Sequence, residues 1–248
     1  MAQIDDLSNA ALTALSEHTK RRMCLIGGVG ENNDFTYGTG NTLCYEGNFY
    51  IVTCKHVADD FFRAQSNSQI ILWGNRKYDS TLFSYFQQTD DNIDIAVIKV
   101  DASVDIQDFY TDEDFEIIDH FGQHDFSKVN VFVSGLPGSL SYEDDAGIQH
   151  RWFSLLTLPS KERSSSDFLY CDFDFKSPKY LNQQGLQKGL PNPQGMSGCF
   201  ALSVPPSSIP AQNIWSPNEF KVIGLQVSWN QESWIKCSNI KHLFEMLN

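Results

Sequence analysis

The stretch Tyr50-Ile51-Val52-Thr53-Cys54-Lys55-His56-Val57 reads as a β-strand that ends at Thr53 and delivers a histidine onto a short turn. Aromatic and β-branched residues fill it from Tyr50 to Thr53, the composition of a pleated, buried surface. Just upstream, Gly47-Asn48 marks a hairpin, because both residues tolerate positive φ. Working outward, the same grammar recurs as short β-rich runs at 23–26, 37–45, 49–53, 69–73, 80–86 and 95–100. The acidic segment 101–126 carries no long periodic pattern and reads as a connector. A second series follows at 128–134, 148–156, 168–175, 198–203 and 221–229, punctuated by Leu136-Pro137-Gly138 and by Pro205-Pro206-Ser207-Ser208. Many short strands between turns argue for barrels or sandwiches. Helical spacing appears only at the ends. Residues 3–20 carry Ile4, Leu7, Ala11, Leu12 and Leu15, and Ser238 precedes a final helix with Ile240, Leu243, Phe244 and Leu247 on one face.

Composition narrows the function. The chain has 248 residues, 41% hydrophobic, and a net charge of −13. Length suffices for one large domain or two small ones. A surface this acidic repels phosphate backbones, so nucleic acid is not an expected partner. The run Lys20-Arg21-Arg22 closes the first helix and reads as a solvated terminus. No apolar stretch is long enough to span a membrane, and the first twenty residues do not read as a secretory signal. The six cysteines, Cys24, Cys44, Cys54, Cys171, Cys199 and Cys237, lack the close pairing of a disulfide scaffold, so a reducing, cytoplasmic setting is expected. Cys54 and His56 have no second ligand pair at zinc-binding spacing, so no metal is expected. Gly27-Gly28-Val29-Gly30 and Gly38-Thr39-Gly40 read as turns and strand starts, because no phosphate-loop lysine follows either. His120 and His124 read as loop residues, with Gly122 between them.

Three segments carry chemistry. The first is the strand ending at His56, preceded by Gly38-Thr39-Gly40. The second is Asp91-Asn92-Ile93-Asp94-Ile95-Ala96-Val97-Ile98, in which Asp94 opens an apolar strand. The third is Pro193-Gln194-Gly195-Met196-Ser197-Gly198-Cys199-Phe200, a serine in a glycine-flanked turn before another strand. Their order and company resemble the trypsin/chymotrypsin-like serine peptidases, with closer likeness to bacterial or intracellular members that carry a GMSG turn. His56, Asp94 and Ser197 fall on the family's three motifs in order, and the resemblance runs from about Met23 to the C-terminus. It implies an all-β fold of two six-stranded antiparallel β-barrels, at 21–110 and 111–236, with an added N-terminal helix at 1–20 and a C-terminal helix at 237–248.

The resemblance also implies roles. Ser197 would be the nucleophile, His56 its base and Asp94 the group that orients the imidazole. Gly195 and Ser197 would supply oxyanion-hole N–H groups. Pro191, Asn192 and Gln194, with Ser228, Trp229 and Asn230 of a segment like the family's VSWG, would border the substrate, and Ser228 would lie near Asp94. Pro191 is not acidic and Asn230 replaces a glycine, so an uncharged, small-to-medium P1 residue is expected. The implied partner is a protein or peptide substrate, with no cofactor. Met196 stands where an aspartate usually precedes the serine, so the site is either constitutively shaped or set by an activating protein partner. Cys199 and Phe200 replace a glycine and a proline behind the nucleophile. An α/β-hydrolase is disfavoured, because its triad runs Ser, Asp, His and only His242 follows Ser197. Neither Cys54 nor Cys199 sits at a nucleophile position. The rival of another class is a peptidase-like fold that is latent or used as a binding or scaffold module.

Overall fold

The computed structural model describes residues 9–29, 35–64, 68–72, 76–126, 129–137, 142–144, 147–149, 151–173, 179–182, 185–188, 194–204, 219–230 and 233–248. The chain folds into two curled antiparallel sheets, the double-barrel architecture expected from sequence. The first sheet is built from β1 (Met23–Val29), β2 (Phe35–Tyr45), β3 (Asn48–Cys54), β4 (Gln69–Leu72), β5 (Arg76–Asp79), β6 (Phe83–Gln88) and β7 (Ile95–Val100), in the order β5-β4-β1-β2-β3-β7-β6. The second is built from β8 (Asn130–Gly135), β11 (Phe153–Thr157), β12 (Phe168–Asp172), β13 (Lys179–Asn182), β14 (Gly185–Lys188), β15 (Phe200–Val204), β16 (Lys221–Asn230) and β17 (Trp234–Asn239), in the order β12-β17-β16-β15-β8-β11-β13-β14. A separate hairpin joins β9 (Tyr142–Asp144) to β10 (Gly147–Gln149). Among the described residues the sheets hold seven and eight strands where six each were expected; β5, β13, β14 and β17 carry no continuous apolar run that would announce them.

Several local expectations change. Gly27 and Gly28 lie inside β1, and Gly38-Thr39-Gly40 lies in the middle of β2 rather than at a strand start. Gly40 sits where any Cβ would crowd Cys24, Ile26 and Ile51, and Gly38 where one would overlap Val57. These glycines are therefore packing requirements inside the barrel. The β2–β3 hairpin turns on Glu46 and Gly47, both at positive φ (47° and 76°), one residue earlier than the sequence suggested. Residues 80–82 form a 3-10 turn ahead of β6. The expected run 148–156 divides into β10 and β11.

The α-helices among the described residues are α1 (Asn9–Lys20), α2 (Lys55–Ala64) and α3 (Lys241–Leu247). The sequence did not suggest α2, whose buried stripe is Val57, Ala58 and Phe61. Helix α1 lies against both β1 and β8 and so touches both sheets; Ser16 Oγ donates to Ser154 Oγ at 3.1 Å. Ile4 and Leu7 of its expected apolar stripe lie outside the described residues. Ser238 does not cap α3. It belongs to β17 and its hydroxyl donates to Ile93 O, while Asn239 Oδ1 accepts the Lys241 N–H at 3.0 Å.

Strand alternation builds two cores. In the second sheet Val131, Val133, Ala201, Ile223, Ile235 and Cys237 face the interior of their own barrel. Phe132, Phe200, Leu202, Val204, Val222 and Val227 join a larger cluster that includes the first barrel's Ile51, Val97 and Ile98. Successive residues of one strand thus serve two cores, which is why β8 and β15 are buried throughout. At the junction the Phe200 ring packs edge-on against Tyr110 (5.1 Å between centroids) and Phe115 (5.5 Å), both from the connector. Cys199 and Phe200, which follow Ser197, are accommodated in this way, facing opposite cores.

Replacing Phe200 with alanine should cost about 3–5 kcal/mol, the range for emptying a buried aromatic site. Chemical denaturation measures this. A loss no larger than that of an exposed substitution would contradict the account of the junction.

Candidate active site

His56 lies in the first turn of α2, not on an irregular turn after β3. Its Nδ1 meets Asp94 Oδ2 at 2.7 Å, and its backbone N–H donates to Asp94 Oδ1 at 3.0 Å. One carboxylate therefore caps the start of α2 and aims the imidazole at once. Asp94 reaches this position through a tight loop. It adopts φ 61°, a left-handed conformation that aspartate tolerates better than most residues. Its N–H donates to Asp90 O at 2.9 Å and its carbonyl accepts from Lys55 N–H. Asp90 Oδ1 in turn accepts from the N–H groups of Asn92 and Ile93. The loop is braced from the second barrel by Ser238, whose hydroxyl bonds to Ile93 O.

The His56 side chain is 51% exposed and that of Asp94 15%. Desolvation pulls the His56 pKa down. The hydrogen bond and charge of Asp94, with Asp60 and Asp59 behind it, outweigh that term and hold the pKa above the ordinary histidine value. Lys55 does not offset these acids freely, because its ammonium already pairs with Asp59 and Asp91, each at 2.8 Å.

Ser197 is half-buried in the turn ahead of β15, between Gly195 (φ 96°) and Gly198 (φ 95°). A Cβ on Gly198 would overlap Thr39 O and Thr53 Oγ1 and crowd Cys54 N. Only a residue without a side chain lets the turn press onto the middle of β2 at Thr39 and the end of β3 at Thr53, three residues before His56. Gly198 N–H donates to Gln226 O at 2.8 Å, and Gly198 O accepts from Asn41 Nδ2 at 2.6 Å. The Gln226 carbonyl also accepts the Cys54 thiol at 3.2 Å, so it ties the serine turn to the histidine strand. Among the described residues, the Ser197 hydroxyl makes no hydrogen bond, and neither Gly195 N–H nor Ser197 N–H donates to a protein acceptor.

Of the other expected site residues, Gln194 is exposed in the same turn. Ser228, Trp229 and Asn230 follow Gln226 along β16, opposite Lys236, Ile235 and Trp234. Trp229 is half-buried and packs on Phe173. Ser238 bonds to Ile93 O, next to Asp94 in sequence, and Ser228 lies across from Lys236, whose ammonium feels the Asp94 charge. Pro191 and Asn192 lie outside the described residues. Sequence reading missed Asn41, Cys54, Gln226 and Ser238 as supports. Asn41 and Cys54 adjoin or lie within the first motif, whereas Gln226 and Ser238 are far in sequence from all three.

Cys54, His56 and Asp94 bring potential metal-donor atoms within 4.8 Å of one another. Both Asp94 oxygens are already engaged by His56, and burial, followed by the Asp94 charge, pushes the Cys54 pKa well up, so its thiol keeps its proton. As built, the cluster is a hydrogen-bonded dyad with a thiol behind it. No helix among the described residues is long and apolar enough to cross a membrane.

No protein-family profile and no curated protein matches this sequence. Solved structures do. The serine endoprotease from Yersinia pestis superposes with a TM-score of 0.52 at 14% identity, over 96% of this chain and 65% of that one. The human pathogenic astrovirus serine protease gives 0.45 at 14% identity over 90% and 94% of the two chains. Tobacco etch virus protease in complex with product gives 0.49 at 13% identity over 94% and 79%. This chain thus spans about two thirds of the Yersinia protein's length, and the Yersinia superposition places it in the chymotrypsin-like fold.

Proposed function

We propose that this chain is a serine endopeptidase that cleaves peptide bonds through an acyl-enzyme formed on Ser197. The observation that carries the reading is the 2.7 Å His56–Asp94 pair, begun at the end of the strand, β3, on which the Ser197 turn rests through Gly198. Ser197 Oγ attacks the peptide carbonyl carbon and gives its proton to His56 Nε2, while Asp94 stabilises the imidazolium through Nδ1. The tetrahedral oxygen takes the Gly195 and Ser197 N–H groups as donors. Collapse breaks the C–N bond, and the leaving amine takes the proton from His56. Water, deprotonated by the same imidazole, then attacks the ester, releasing the acid and restoring the Ser197 hydroxyl. Hydroxyl and imidazole close to hydrogen-bond distance when substrate binds, as is common at sites that are loose when empty. The chemistry calls for no cofactor. Limited cleavage in a reducing compartment is the setting we propose; all six cysteines are free and five of them are buried.

Fluorophosphonate labelling in thiol-containing buffer tests the reading. One stoichiometric adduct by intact mass, lost in Ser197→Ala, is the expected result. A parent chain that stays unlabelled would contradict it and leave a fold kept for binding.

The pH dependence follows from His56. Only neutral imidazole can accept the serine proton, so the labelling rate should rise with pH through an inflection above the ordinary histidine value. The sign for stability is opposite. A raised folded-state pKa favours the protonated form, so its contribution is present below the unfolded pKa and is lost as pH rises through the folded one. Asp94→Asn keeps a residue that tolerates positive φ but removes the charge. It should shift the inflection down and cut kcat by about 10³–10⁴-fold. An inflection that stayed in place would detach Asp94 from the imidazole.

A further inference from the structure

We propose that the Thr39 hydroxyl is the positioning group that sets the oxyanion turn, by a hydrogen bond thrown across from the first barrel. The inference rests on the peptidase reading above.

Thr39 is fully buried, and among the described residues its hydrogen bonds reach Ser197, Gly195, Leu136 and Thr53. Its N–H donates to Ser197 O at 2.9 Å. Its Oγ1 donates to Gly195 O at 3.1 Å and accepts the Leu136 N–H at 3.0 Å. Its carbonyl accepts Thr53 Oγ1 at 2.8 Å. A threonine hydroxyl has one proton, and the Leu136 N–H can only donate. That contact therefore fills a lone pair and leaves the proton for Gly195 O. The hydroxyl rotor is fixed from both sides by the second barrel.

Two peptide planes of the turn are pinned as a result, Gly195–Met196 by the side chain and Ser197–Gly198 by the main chain of one residue. Gly195 needs this restraint more than its neighbours. At φ 96° it occupies a region open chiefly to glycine, and a glycine left free can rotate its peptides at little cost. Nothing ionic at Met196 could hold the turn, because that side chain is apolar, buried and packed against Gly135. The cross-barrel hydrogen bond takes that part: with Gly195 O and Ser197 O both held by Thr39, the adjoining peptides that carry the Gly195 and Ser197 N–H groups have less room to turn before substrate arrives. A pre-set donor pair costs no reorganisation at the moment of reaction.

Thr39→Val keeps the shape and the backbone contact with Ser197 but removes the hydroxyl; Thr39→Ser restores it. With a peptide ester as substrate, Thr39→Val should lower kcat by about ten- to a hundredfold, short of losing a whole oxyanion donor, with KM and the acid inflection unchanged. Thr39→Ser should recover most of the loss. The Gly195 and Ser197 amide resonances of the ¹⁵N-labelled protein should move in Thr39→Val and return in Thr39→Ser. Wild-type kcat in Thr39→Val, a KM that rises in step with the loss, or a serine variant as poor as valine would overturn the inference. If the parent chain itself fails to react, the peptidase reading falls, and the amide resonances decide on the hydroxyl alone: no movement in Thr39→Val refutes it.

Discussion

The serine turn of the second barrel lies directly on β2 and the end of β3 in the first, with backbone against backbone at Gly198. No side chain fits between Gly198 and the pair Thr39 O and Thr53 Oγ1, and three groups hold the contact shut: Gln226 O, Asn41 Nδ2 and Thr39 N–H. Most of the site follows from that constraint. Strand β3 must end where it does for the turn to rest on it, and α2 must begin at once, which puts His56 beside Asp94. The apolar support runs underneath, where Phe200, one step into β15, fills the junction with Tyr110 and Phe115. Buried, fully satisfied hydrogen bonds of this kind rigidify the seam they form.

Charge is arranged around the seam, not in it. The groups buried there are neutral: hydroxyls, amides and a thiol kept protonated by burial. The carboxylates sit at the rim, where Asp59 and Asp60 add to the field of Asp94 on His56. Burying unpaired charge would be costly, whereas neutral groups with full complements of hydrogen bonds are tolerated. The rim field has a chemical consequence: it makes the imidazole a stronger base.

Much of this was legible in the sequence. The strand running into His56, the apolar run opened by Asp94 and the glycine-flanked Ser197 each carry a local signal, and their order points to one fold. What was not legible depends on contacts distant in sequence. Helix α2 hides behind the turn-like sequence after Thr53, and shows itself only through Val57 seated over Gly38. Strand β17 lacks a clean apolar run because Lys236 interrupts it; the lysine lies over the Phe168 ring at 3.6 Å. Ser238 has the residue type of a helix cap, yet tertiary structure spends it on Ile93 O. Thr39 stood within a quoted motif, but nothing in a linear reading says that a hydroxyl there meets a carbonyl 156 positions away.

The most direct measurement is a crystal structure of the protein phosphonylated at Ser197. The account predicts a phosphonyl oxygen about 2.7–3.1 Å from both the Gly195 and Ser197 N–H donors. It also predicts His56 Nε2 in hydrogen-bond reach of the serine oxygen and Thr39 Oγ1 still bonded to Gly195 O. An adduct on another residue, or a phosphonyl oxygen turned to solvent with the Gly195 peptide rotated away from Thr39, would contradict it.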